Sequence, residues 1–428
     1  MKRYESMTRE ELQSEFSSLA SIINDYKDKK YNLVMARGKP SEEQLAISLP
    51  MLDVLTSKSN LYSEDGVDCK NYGEIAGIID AKKLFSEYME VEIEEIFIAG
   101  SSSLELMSNI LASSMLRGVL NSDQAWIKYP KIKFICPVPG YDRHFKMCEY
   151  FGIEMLNVPL DHHGPNMDMI ERMVKNDDTI KGIWCVPKYS NPTGTSYADE
   201  TVRRLANMET AAHDFRIFWD NAYAVHSIYR HVNILNLLAE CKKSGNPNRA
   251  YMFGSTSKIT LPGAGVCFFA ASKENITFMA NELGTQCAGW DKLNMLRHVR
   301  FLKNIANIKD IMDKHAEIIR PRFDIVIKAL KEELLPRGAG EYIHPDGGYF
   351  ITFKGKSGCA RKIVELCKLM GVIVTSAGAT HPHGKDPDDS YIRLAPTSIS
   401  LTDLEKAIEI FCIAARFVTL EKYLYHYI

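Results

Sequence analysis

Paired cysteines, a membrane-length apolar run and an excess of charge are all missing here, and each absence excludes a class of function. Ten cysteines stand at 69, 136, 148, 185, 241, 267, 287, 359, 367 and 412, with no C-x-x-C pair among them. Most lie in apolar runs, such as Cys136 in KFICPVP and Cys267 in GVCFFAA. A free thiol packs there as a small hydrophobe, which predicts a reducing, cytoplasmic setting and no metal site. No apolar run approaches the ~20 residues that a bilayer requires. The opening MKRYESMTREELQSEF is charged and amphipathic, without the apolar stretch of a signal peptide. With 52 Lys and Arg against 54 Asp and Glu, the formal net charge is −2. The basic residues are scattered rather than gathered in a stripe, so neither nucleic acid nor an acidic membrane is an expected partner. Internal repeats and low-complexity tracts are absent too.

What is present is a chain of 428 residues, too long for one ordinary core, which predicts two domains. Its middle alternates short β-rich runs with helical patterns. The strand candidates are 95–100, 133–139, 153–160, 180–187, 215–220, 249–254 and 265–272. They are near-continuous apolar runs, as expected of strands covered on both faces. Between them, 102–117 places Leu104, Met107, Leu111 and Met115 on one helical face. The pattern predicts an α/β fold with a mostly parallel seven-stranded sheet flanked by helices.

The ends differ. Residues 1–28 and 309–335 read as helical. GGYFITF (347–353), VIVTSAG (372–378) and YIRLAPT (391–397) read as strands, followed by a long helix from about 402 with Thr402 and Glu405 at capping-box spacing. A smaller α+β domain built from both termini follows, with 1–60 and 309–428 forming it and 61–308 forming the large domain. The segment 378–390, GATHPHGKDPDDS, reads as an exposed loop in which His381 and His383 are solvated rather than metal-bound.

Four segments carry candidate chemistry. In GSTSKITLPGAG (254–265), Lys258 is an amine suited to forming an imine with an aldehyde once its pKa is depressed, beside the hydroxyls of Ser255 and Ser257. In DNAY (220–223), Asp220 ends a strand and faces the crevice where α/β sheets bind ligands. A carboxylate there could hold a pyridinium nitrogen protonated, with Tyr223 donating to a phenolate oxygen. NPTG (191–194) is turn chemistry after a strand. In GSSS (100–103) a strand passes into a helix, leaving free N–H groups that form an anion site. Singly, these are also a polar turn, a helix-capping Asp, a proline turn and a Ser cap. Together they lie at the carboxyl ends of strands in one sheet.

Taken in order, GSSS, PGYDRH, NPTG, DNAY and STSK resemble the active-site series of class I, fold-type I aminotransferases dependent on pyridoxal 5′-phosphate (PLP). The resemblance runs from ARGKP (36–40) to YIRLAPT (391–397). ARGKPS, NYGEIAG, PGYDRHF and GSTSKIT resemble most a divergent bacterial subgroup of aspartate aminotransferases. The resemblance implies that Lys258 is the Schiff-base lysine and proton shuttle, and that Asp220 pairs with the pyridine nitrogen. Asn191 and Tyr223 contact the 3′ oxygen, and the Tyr141 ring stacks on the cofactor. Ser102, Ser103, Ser255 and Ser257 hold the phosphate. Tyr72 matches a Tyr that reaches the phosphate of a neighbouring subunit, implying a homodimer with shared active sites. Arg393 matches the clamp for the substrate α-carboxylate, with the Gly38 backbone nearby. One position departs from the class: its phosphate-binding Arg, eight residues after the lysine, is here Val266.

The implied activity is ping-pong transamination of amino acids and 2-oxo acids, from aspartate to 2-oxoglutarate. The alternatives are an aromatic or broad-range aminotransferase and a PLP-dependent lyase on the same scaffold. A PLP-binding transcriptional regulator would need a DNA-binding segment ahead of ARGKP, where no recognition-helix pattern stands. A distal substrate carboxylate needs a second cation, for which Lys39, Lys292 and Arg297 are candidates.

Overall fold

A computed structural model describes residues 2–425. Its main sheet runs, edge to edge, through Ile96–Ile98, Cys267–Ala270, Ala250–Ser255, Arg216–Asp220, Ile180–Cys185, Lys133–Val138, Glu154–Asp161 and Gly164–Pro165. The first seven are the seven apolar runs of the sequence, and the two-residue Gly164–Pro165 is an added edge. Arg216–Asp220 pairs parallel with both neighbours, while Cys267–Ala270 runs antiparallel to each of its own. Burial explains the composition: every residue of Ile96–Ile98, Ile180–Cys185, Arg216–Asp220 and Cys267–Ala270 is buried. Helices cover both faces, so alternation of polar and apolar residues would leave polar groups in a core. One face packs Ile183, Ile217, Trp219 and Met252, the other Phe134, Trp184, Phe218 and Phe253.

Residues from both termini share a third core. Tyr4, Leu12, Leu19 and Ile23 pack with Phe323, Phe353, Ile363 and Phe411. The helix Leu401–Tyr425 is apolar over most of its circumference because it lies inside this core, packed by Arg9–Asp28, Ile305–Ala329 and Ala360–Leu369. Gly340–Ile343, Ile351–Gly355 and Tyr391–Leu394 form an antiparallel sheet, and Leu33–Met35 pairs parallel with Val372–Val374. The helix Arg9–Asp28 opens on a reciprocal cap, Thr8 with Glu11.

Two local expectations are corrected. The last helix is capped two residues earlier than Thr402 and Glu405: the Asp403 N–H donates to Ser400 Oγ at 3.1 Å, and Ser400 Oγ donates to the Asp403 carboxylate at 2.9 Å. Segment 378–390 is only partly exposed. Asp386 draws it inward, accepting from the N–H groups of Asp388, Ser390 and Tyr391 at 3.1, 2.8 and 3.0 Å. His381 is buried and 3.0 Å from Thr380 Oγ1, while His383 is exposed. Among the described residues no helix is long and apolar enough to cross a membrane, and no three His, Cys, Asp or Glu converge on a metal position.

Candidate active site

The carboxyl ends of the main-sheet strands deliver the four segments to one place. After Ile96–Ile98 the chain turns through Gly100–Ser102 into the helix Ser103–Arg117. Ser102 caps that helix, its Oγ accepting from Glu105 N–H at 3.3 Å. After Ala250–Ser255 a second turn brings Ser255 Oγ to donate to Ser257 Oγ at 3.2 Å. The two turns meet across Gly265. A Cβ there would sit 3.2 Å from Ser101 O and 3.3 Å from Ser257 Oγ, so only glycine leaves the approach uncrowded. Asn294 Nδ2 ties down the same stretch, donating to Ala264 O at 3.1 Å and Gly265 O at 2.8 Å. The Ser255 and Ser257 hydroxyls thus lie close to the turn that opens a 15-residue helix, an arrangement that could take a phosphate. Val266 is buried in the core, its N–H donating to Thr256 Oγ1 at 2.9 Å. That position supplies no cation.

Lys258 follows directly. Its Nζ lies 4.7 Å from the centre of the Tyr223 ring. Burial pushes its pKa below the ordinary ammonium value, against the opposing pull of Asp220. Tyr223 is buried, and burial first, then the neighbouring Tyr141, holds its hydroxyl protonated. Asp220 is 3 % exposed. One of its oxygens, Oδ2, meets His144 Nε2 at 3.1 Å, and the other, Oδ1, is buried without a partner. A buried carboxylate oxygen without a partner is costly, and a protonated ring nitrogen of a bound ligand could satisfy it. His144 is fixed by stacking on Trp184, with ring centres 4.4 Å apart at 9°, and by an edge contact with Tyr141 at 5.0 Å.

Asn191 and Arg393 form the opposite side. Arg393 Nη1 donates to Asn191 Oδ1 at 3.0 Å and to Asp142 Oδ1 at 3.1 Å, and its Nε donates to Thr375 Oγ1 at 3.4 Å. Its guanidinium lies 4.7 Å over the Phe350 ring. Gly38 is needed beneath that ring, since a Cβ would approach Phe350 Cζ to 2.5 Å. Its Nη2 makes none of these bonds, so a carboxylate could take that nitrogen and displace one of the neighbouring partners to complete a fork.

The remaining candidates fall outside this cluster. Tyr72 is 84 % exposed. Its neighbour Gly73 is held by Ala288 O, 2.9 Å from Gly73 N, and by Lys292 Nζ, which donates to Gly73 O at 3.0 Å. Lys292 is therefore buried in a structural contact. Arg297 turns its Nη2 to Asn294 Oδ1, and Lys39 is exposed. The segment PGYDRHF carries three further polar residues that its pattern alone does not single out: Asp142 and His144, placed as above, and Arg143. Arg143 is exposed, and its charge is felt at the Tyr141 hydroxyl.

A family model described as aspartate amino-transferase matches residues 7–426. The chain belongs to this family. It is an aminotransferase, and its curated relatives include an aspartate aminotransferase of Corynebacterium glutamicum, 40 % identical, the match covering 90 % of this chain and 89 % of that one. A solved aspartate transaminase structure from the same organism superposes with a TM-score of 0.96 at 37 % identity, covering 98 % and 99 % of the two chains. The α-aminoadipate aminotransferase LysN of Thermus thermophilus, solved in complex with N-(5′-phosphopyridoxyl)-L-leucine, shares the fold at 18 % identity and a TM-score of 0.73, over 90 % and 92 %.

Proposed function

We propose that this aminotransferase moves the amino group of aspartate to 2-oxoglutarate with PLP as its cofactor. The observation that carries the reading is Asp220. Its buried, unpartnered Oδ1 lies at the tip of a strand, within electrostatic reach of the amine of Lys258. The bound cofactor would supply an aldehyde for the amine and an electron sink for the substrate Cα.

The residues divide the work. Ser102, Ser103, Ser255 and Ser257 would hold the phosphate, and Asp220, fixed by His144, would keep the ring nitrogen protonated. Tyr141 would cover the ring, while Asn191 and Tyr223 would meet the 3′ oxygen. Arg393 binds the α-carboxylate. Lys258 would bind the aldehyde and, once displaced, its Nζ would carry the proton taken from the substrate Cα. For the distal carboxylate we favour Arg143, an exposed cation whose charge is felt at Tyr141, because Lys292 and Arg297 are held in structural contacts. Residues 61–308 would form the cofactor domain, and 1–60 with 309–428 the second, smaller domain. The exposed Tyr72 fits a homodimer with shared sites, and the ten free thiols fit a cytoplasmic setting.

The test joins spectroscopy to mapping. Protein reconstituted with PLP should absorb in the visible range, and borohydride should fix a pyridoxyl group on the peptide carrying Lys258. A panel of amino donors with 2-oxoglutarate, beside an assay for pyruvate and ammonia, should favour aspartate. A colourless reconstituted protein would overturn the cofactor reading, and β-elimination without transfer would favour the lyase.

A further inference from the structure

Beneath Lys258 lies a second polar network that none of these roles uses. The Lys258 carbonyl oxygen accepts from His226 Nε2 at 3.3 Å and from the Tyr349 hydroxyl at 3.4 Å. That hydroxyl accepts from Gln44 Nε2 at 3.0 Å, and the same amide nitrogen reaches His315 Nδ1 at 3.2 Å. Gln44 Oε1 in turn accepts from Ser41 N–H at 3.1 Å. His226, Gln44, His315 and Tyr349 are all at most 3 % exposed.

Chemistry fixes the direction of every bond. A carbonyl only accepts, so His226 carries its hydrogen on Nε2. An amide NH₂ only donates, so His315 accepts at Nδ1 and carries its hydrogen on Nε2. Both rings stay neutral at working pH: burial, reinforced for His226 by the charge of Lys258, lowers it to about 3, and burial lowers His315 to about 4. His226 Nδ1 and His315 Nε2 are left buried without partners, one an acceptor and one a donor.

The two donors reach the lysine from different places. His226 follows the main-sheet strand Arg216–Asp220. Tyr349 belongs to the core shared by the termini, Gln44 to the helix Glu42–Ser48, and His315 to Ile305–Ala329. Backbone bonds from Ile259 and Thr260 run back to Thr256 O, both at 2.9 Å, which leaves the Lys258 carbonyl to side chains.

We propose that His226 and Tyr349 are positioning residues for Lys258, holding its backbone so that the amine returns to the same point after each release. The inference rests on Lys258 being the lysine that binds the cofactor aldehyde. A flexible four-carbon stem can place its amine reproducibly only if its root is fixed, and an error of about 1 Å in a reacting group costs about a hundredfold in rate. A carbonyl merely satisfied by nearby donors would affect stability alone.

The experiment compares His226→Phe, His226→Gln and Tyr349→Phe with the wild-type holoenzyme. Gln sets an amide N–H close to where the imidazole Nε2–H stood, and Phe removes it. His226→Phe should slow the single-turnover reaction with aspartate by roughly tenfold or more with the aspartate Kd within about twofold, and slow capture of PLP by the cofactor-free protein. His226→Gln should recover most of both losses, and Tyr349→Phe should show a smaller loss of the same kind. If His226→Phe keeps wild-type turnover and capture rates, the proposal is overturned. Equal losses in the Phe and Gln variants, tracking a lowered unfolding temperature, would also overturn it in favour of packing. Borohydride mapping separates the two readings: a wild-type protein not labelled at Lys258 would defeat the cofactor assignment, whereas labelled variants with normal rates would defeat only the positioning role.

Discussion

His144 Nε2 stands 3.1 Å from Asp220 Oδ2, and both side chains are almost wholly buried. The contact occupies one carboxylate oxygen and leaves the other buried without a hydrogen-bond partner. Replacing Asp220 with Asn keeps the shape and removes the charge that holds a ring nitrogen protonated. Its single-turnover rate with aspartate should fall by roughly 10–100-fold, the scale of one or two charge-assisted hydrogen bonds. His144→Phe should retain the stacking on Trp184 but free the carboxylate to turn, with a smaller loss of roughly tenfold. Rapid-mixing absorbance measurements distinguish the two variants by size of effect.

Arg393 makes three hydrogen bonds within the protein, to Asn191, Asp142 and Thr375. Arg393→Lys keeps the charge but loses the planar fork and cannot serve those partners together with a carboxylate. The KM for aspartate and for 2-oxoglutarate should both rise by roughly 10–100-fold, because both carry the α-carboxylate. A rise for one substrate alone would place the α-carboxylate elsewhere.

Arg143 gives a specificity prediction. Arg143→Met should lower kcat/KM for aspartate by roughly tenfold or more while leaving an uncharged donor such as phenylalanine unchanged or improved. Parallel losses for both donors would remove Arg143 from the distal subsite. The variant should keep its fold, since the side chain is exposed.

The sheet was legible because its strands are buried on both faces, which forces continuous apolar runs and leaves the periodic helices between them distinct. The strands Leu33–Met35 and Gly340–Ile343 were not. The first has three residues, one of them exposed, and the second pairs along one edge with a polar, half-exposed register. The cap at Ser400 was missed because two overlapping capping patterns compete there, and helix phase decides between them. Lys258, Asp220, Asn191 and Arg393 stand in segments whose order and strand-end position could be read directly. His144 could not be separated from its segment without knowing the helix phase. A signal was present, since His144 and Cys148 stand four apart on the buried face of Asp142–Phe151. The network under Lys258 joins residues 44, 226, 315 and 349, a spacing that no local pattern announces.

The buried pair Lys181–Asp214, at the amino ends of two central strands and so away from the site, predicts how stability depends on pH. Lys181 Nζ lies 2.7 Å from Asp214 Oδ1, and Asp214 Oδ2 accepts from Trp126 Nε1 at 2.8 Å and from Ser122 Oγ at 2.9 Å. Burial alone raises the Asp214 pKa, but Lys181, Trp126 and Ser122 outweigh it and hold the carboxyl below its ordinary value. A depressed folded-state pKa means that the unfolded chain binds the proton more readily. The stabilisation is therefore complete above the unfolded carboxylate value of about 3.9 and is lost as pH falls through the lower folded value. Asp214→Asn should cost about 3–5 kcal/mol at neutral pH, because it leaves the Lys181 ammonium buried and unpaired. The acid decline of the unfolding midpoint should be shallower in that variant than in the wild type, since the group that titrates is gone. Replacing both partners together, Lys181→Met with Asp214→Leu, should recover much of the loss, as it removes the uncompensated charge. Urea unfolding from pH 7 to pH 3 measures all three, and a steeper acid decline in Asp214→Asn than in the wild type would refute the assignment.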